Sequence, residues 1–65
     1  MKLLAADYDG TLRRGDTVSQ RNKEVLINWR KQGNLFGIVT GRSLESIQKE
    51  IIKNELAIDF LITNN

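Results

Sequence analysis

Three short apolar runs alternate with two stretches of helical periodicity, and this alternation constrains the fold more than any other feature of the chain. The runs are residues 2–6, Leu35-Phe36-Gly37-Ile38-Val39 and Ile58-Asp59-Phe60-Leu61-Ile62. Between the first two, Ser19 can serve as an N-cap and Gly33 as the residue just past a helix C-terminus. Val25, Leu26 and Trp29 recur there at helical spacing, with Arg21, Lys23, Glu24, Arg30 and Lys31 on the other side. Ser43 can cap a second helix that carries Leu44, Ile47 and Ile51 on one face. The order β-α-β-α-β predicts an α/β fold with a three-stranded parallel sheet and right-handed crossovers.

The runs are apolar on consecutive rather than alternate residues, the pattern of strands buried on both faces. Two right-handed crossovers moving one way across a sheet put both helices on the same face. The other face is then left bare, and a continuation of the chain or another chain is expected to cover it. The 65 residues therefore read as part of something larger.

Composition narrows the chemistry. A chain of 65 residues buries only about 60% of the surface its unfolded form exposes. It has no cysteine and no histidine, which rules out disulfide staples, Cys/His zinc sites and thiolate or imidazole catalysis within it. No apolar run approaches the roughly 20 residues of a membrane span, and Asp7 interrupts Met1-Lys2-Leu3-Leu4-Ala5-Ala6 too early for a signal peptide. A cytoplasmic protein with no membrane partner is the expectation. The net charge of +2 is dispersed, with Arg13-Arg14 and Arg30-Lys31 the adjacent basic pairs, so no nucleic-acid partner is expected.

Chemistry concentrates in Asp7-Tyr8-Asp9-Gly10-Thr11-Leu12, where an apolar strand gives way to a tight loop. Ligands of parallel α/β sheets bind outside the carboxyl ends of the strands. Two carboxylates this close repel unless a cation joins them, and an oxygen-only donor set suits Mg²⁺, which keeps several waters and often shares a phosphate with its protein ligands. A carboxylate can also accept a phosphoryl group as nucleophile while a second one moves the proton. A pair of Asp residues that merely caps a turn is the plain alternative from spacing alone. An EF-hand loop starting at Asp7 fails, because Leu12 stands where Gly is needed and Val18 where the bidentate Glu is needed.

Asp7-Tyr8-Asp9-Gly10-Thr11-Leu12 after an apolar strand resembles the first motif of the haloacid dehalogenase (HAD) superfamily of phosphatases. Val39-Thr40-Gly41-Arg42 resembles its second motif. Leu61-Ile62-Thr63-Asn64-Asn65 resembles the strand that precedes the cap domain in the Cof-type sugar-phosphate phosphatase branch. The resemblance implies a Rossmann-like core with Asp7 as nucleophile and Mg²⁺ ligand. Asp9 would be the general acid/base and would lend its backbone carbonyl to the metal. Thr40 would hydrogen-bond the phosphoryl oxygens, helped by the N–H groups around Tyr8, Asp9 and Gly41. Arg42 would either touch a substrate anion or lie solvated. Arg13 and Arg14 fall where the family has a mobile flap, and a solvated hairpin is expected there.

The family also needs a Lys and a further acidic pair beyond the cap, and the sequence in hand stops before either. Lys2 lies at the far end of the first strand, and Lys23, Lys31, Lys49 and Lys53 fall on helices. The expectation is thus residues 1–65 as the N-terminal part of a HAD-like core, with the cap and C-terminal core absent and no activity alone. The complete protein would be a Mg²⁺-dependent phosphatase for a phosphorylated small metabolite. The competing expectation is a non-catalytic module that docks a partner on the open sheet face.

Overall fold

The computed structural model describes residues 1–63. Strand β1 (Leu3–Asp7) is followed by a hairpin of β2 (Arg13–Arg14) and β3 (Thr17–Val18), then helix α1 (Gln20–Lys31), β4 (Leu35–Thr40), α2 (Leu44–Lys53) and β5 (Phe60–Thr63). The main sheet has the order β1-β4-β5 with both pairings parallel, as the alternation of patterns predicts. Asn64 and Asn65, the last residues of the run compared with the pre-cap strand, lie outside the described residues.

The helix ends follow the predicted caps. Ser19 accepts a hydrogen bond from the Asn22 N–H and Ser43 one from the Ser46 N–H, each satisfying a first-turn donor that the helix cannot. Gly33 terminates α1 at φ +83, the left-handed conformation that glycine adopts without steric cost. The hairpin turns at Gly15, the first of its two loop residues, with φ +67.

Register sorts the strand residues onto two faces. Leu4 pairs with Phe36, Ala6 with Ile38, and Ile38 with Leu61; these face the helices. There Phe36 and Ile38 form one core with Leu26 of α1, Ile47 of α2, Tyr8, Leu12 and Val18. Buried Leu26 and half-buried Trp29 make the core-facing stripe of α1, whereas Val25, expected beside them, is exposed because one residue along a helix is a rotation of about 100°. The opposite face carries Leu3, Leu35, Gly37, Val39, Phe60 and Ile62, and it is open: Leu3 is 65% exposed and Ile62 55%.

The third strand begins at Phe60, two residues later than its apolar run, because Asp59 has other work. Its carboxylate accepts from the Phe36 N–H at 2.8 Å and takes a bidentate pair from Arg30 at 2.8 and 3.0 Å, while its own N–H donates to the Phe36 carbonyl at 2.6 Å. This ties α1, β4 and the start of β5 together at the end of the sheet away from Asp7. Trp29 adds a hydrogen bond from its indole N–H to the Leu35 carbonyl.

On the open face the Phe60 ring lies against Gly37, its register partner, in the space a side chain at 37 would need. Glycine is there for close approach rather than for a turn. Gly37→Ala is expected to destabilise the fold by about 1–3 kcal/mol through overpacking, read as a lower urea midpoint. An unchanged midpoint would show that the ring does not rest on that strand.

Candidate functional site

The site is built around Tyr8, which stands between the two carboxylates and is fully buried. Its hydroxyl donates to Glu50 Oε1 at 2.9 Å and accepts from Asn54 Nδ2 at 3.2 Å. Asn54, the C-cap of α2 and itself buried, turns its amide oxygen to the hairpin, accepting from Thr17 Oγ1 at 3.0 Å and from the Val18 N–H at 3.2 Å. The loop closes back on the same residue: the Arg13 N–H donates to the Tyr8 carbonyl and the Gly10 N–H to the Arg13 carbonyl, both at 2.9 Å. Gly10 makes this possible at φ +82. Strand β1, the hairpin and α2 are thereby fixed to one phenol.

Asp7 ends β1 and is exposed, and among the described residues its side chain makes no hydrogen bond or ion pair. Asp9 is in the contrary state. Arg42 grips its carboxylate with Nη2 at 2.7 Å from Oδ1 and Nε at 2.8 Å from Oδ2, the bidentate geometry that guanidinium and carboxylate share. Arg42 is oriented in turn by Ser46 Oγ at 3.0 Å and lies 5.5 Å from the centroid of the Tyr8 ring. Arg13 Nη1 approaches Asp9 at 3.6 Å. The Arg42 hydrogen bonds, then the charges of Arg42 and Arg13, hold the Asp9 carboxyl below its ordinary range despite some desolvation. The backbone of Asp9 is unspent, since the loop's hydrogen bonds bypass both its N–H and its carbonyl among the described residues.

Thr40 ends β4 and is buried, and its Oγ1 accepts from the Arg42 N–H at 3.1 Å, so its own O–H remains a donor. Register pairs Asp7 with Val39, which brings Asp7 and Thr40 to the same carboxyl edge of neighbouring strands on opposite faces of the sheet. Gly41 follows, and its N–H has no hydrogen-bond acceptor among the described residues.

Two expectations change. Arg13, expected to be solvated with Arg14, points inward: its side chain is 25% exposed and stands 3.0 Å from Glu50. Arg42, expected either on a substrate anion or in solvent, is occupied by Asp9. Glu50 and Asn54 belong to the site although nothing in the sequence singled them out. The available signal was their spacing of four residues, which puts two polar side chains on one face of α2.

For a metal, the described residues contain no group of three or more His, Cys, Asp or Glu side chains. What they offer is the unpaired Asp7 carboxylate and the free Asp9 carbonyl. Two protein oxygens are a fit for Mg²⁺, which keeps most of its waters and completes its shell with a phosphate. A wider concavity of about 470 Å³ lies elsewhere, lined by Ile27, Arg30, Lys31, Gly33, Asn34, Leu35 and Asp59. Its Arg30 and Asp59 are spent on each other in an ion pair at 2.8 Å. No helix among the described residues is long and apolar enough to cross a membrane.

The sequence model of the family described as haloacid dehalogenase-like hydrolase matches residues 4–65. No curated protein and no solved structure matches the chain.

Burial, the hydrogen bond to Glu50 and the Glu50 charge push the Tyr8 phenol from 10.0 up to about 12, against a smaller pull from Arg13 and Arg42. The fold holds this proton more tightly than the unfolded chain does. Its contribution to stability is therefore full below 10.0 and is lost as pH rises through about 12. Tyr8 is the chain's single tyrosine, so phenolate absorbance reports it alone. The expected midpoint is near 12, moving down in Glu50→Gln; a midpoint near 10.0 in the folded protein would contradict the burial and the hydrogen bond.

Proposed function

The chain belongs to the haloacid dehalogenase-like hydrolases, and from that premise we propose that it carries the phosphoryl-transfer end of a Mg²⁺-dependent phosphatase acting on a phosphorylated small metabolite. The observation that carries this reading is the unequal state of the two carboxylates. Among the described residues Asp7 is exposed and unpaired at a strand end, as a nucleophile must be, while Asp9 is held by Arg42 at 2.7 and 2.8 Å.

In this reading an Asp7 oxygen attacks phosphorus, the bond to the leaving oxygen breaks, and an aspartyl-phosphate forms. Water then attacks the phosphorus, releasing phosphate and restoring the Asp7 carboxylate. Asp9 gives a proton to the leaving oxygen and takes one from the water. As seen here Asp9 is kept anionic, which suits the second step; the first requires Arg42 to release it. The Thr40 O–H and the Gly41 N–H donate to phosphoryl oxygens over the carboxyl edge of the sheet. Asp7 and the Asp9 carbonyl would hold Mg²⁺, whose charge would offset that of the phosphoryl oxygens.

Asp7→Asn keeps the shape but removes the attacking oxygen's charge, so turnover of phosphomonoesters by the complete enzyme is expected to fall to background. Asp9→Asn is expected to slow turnover by roughly 10²–10⁴-fold for alkyl phosphates, and less for aryl phosphates, whose leaving group departs without a proton. Steady-state rates of both variants on both substrate types check the roles. Asp7→Asn retaining activity within about tenfold of the parent, a loss of only 1.4 kcal/mol, would exclude Asp7 as nucleophile.

A further inference from the structure

Arg13 occupies an unusual position. Its Nη1 is 3.6 Å from Asp9 Oδ1, too far for a hydrogen bond, and its Nε is 3.0 Å from Glu50 Oε1. The Nε–H is nevertheless not aimed at that oxygen, because Nε is buried and has no hydrogen-bond partner among the described residues. Both carboxylates already have partners, Asp9 in Arg42 and Glu50 in the Tyr8 hydroxyl. A buried donor left unsatisfied costs free energy. A guanidinium that stands between two acids and satisfies its donor on neither is drawn by both.

We propose that Arg13 is a counter-ion shared by Asp9 and Glu50, and that Glu50 is a positioning residue which takes Arg13 away from Asp9 when a cation arrives at the Asp7–Asp9 loop. The metal half of this inference rests on the Mg²⁺ reading above. A divalent ion on Asp7 and the Asp9 carbonyl repels a guanidinium beside Asp9, and Glu50 gives that guanidinium a nearby place to go. Without the Glu50 carboxylate Arg13 closes onto Asp9, so that two guanidinium groups oppose the metal.

The test uses the complete protein in two stages. Without metal, the Arg13 Nε–H resonance is compared between the parent and Glu50→Gln. It is expected to shift as Arg13 turns fully to Asp9, and an unchanged resonance overturns the sharing. With metal, Mg²⁺ affinity is read from the amide resonances of residues 7–10. Glu50→Gln is expected to weaken it roughly three- to tenfold. The same change made together with Arg13→Gln is expected to leave affinity within about twofold of Arg13→Gln alone. A purely long-range effect of Glu50 would weaken Mg²⁺ equally in both backgrounds and overturns the proposal. Glu50→Asp keeps the charge and is expected to stay near the parent; if it matches Glu50→Gln, or loses the fold, Glu50 is structural and the proposal fails. A parent with no Mg²⁺ response overturns the Mg²⁺ reading and the metal half together, while the metal-free resonance still decides whether Arg13 is shared.

Discussion

The burial of one tyrosine between two aspartates is the constraint on which the rest of this structure depends. Side chains alternate across a strand, so sending Tyr8 into the helix face sends Asp7 to the other side and starts the turn that exposes Asp9. A buried phenol needs partners for its hydroxyl, and α2 supplies them one turn apart as Glu50 and Asn54. Asn54 then reaches the hairpin through Thr17 and Val18. Core packing, hairpin docking and the direction of both carboxylates are in this way consequences of the same hydrogen bonds. Networks of this kind fix a single arrangement only when each member is satisfied.

The same network separates two chemically identical side chains. Asp9 lies within reach of Arg42 and Arg13 and is held as an anion, whereas Asp7, two residues earlier, meets neither. In the proposed reading, this difference in pairing is what lets one loop supply both a nucleophile and a proton carrier. Glu50 matters to this division because it balances Arg13 and accepts from Tyr8 at once. The four charges of Asp9, Glu50, Arg13 and Arg42 sum to zero, so the cluster is neutral.

Much of the fold was legible in the sequence because its signals are local. Ser19, Gly33 and Ser43 mark the helix ends through hydrogen bonds and backbone angles within a few residues. The apolar runs gave the parallel order, and consecutive apolar residues pointed to the open face that Leu3 and Ile62 now show. The late start of β5 was hidden because Asp59 is committed to Arg30 and Phe36, partners 29 and 23 residues away. For the same reason the loop of Asp7 and Asp9 could be read as a site while its supports could not. Arg42 meets Asp9 across 33 residues and Asn54 meets Tyr8 across 46, and Arg13, Glu50 and Asn54 look like ordinary surface residues where they stand in the chain.

The central claim is that Asp7 is the phosphoryl acceptor, and its most direct test is to observe the acceptor occupied. A structure of the complete protein with Mg²⁺ and beryllofluoride, which mimics a phosphoryl group on a carboxylate, shows where that group is carried. The account predicts beryllium on an Asp7 carboxylate oxygen, with a fluorine within hydrogen-bond reach of the Thr40 hydroxyl. Beryllofluoride on Asp9 or on any other residue would contradict it.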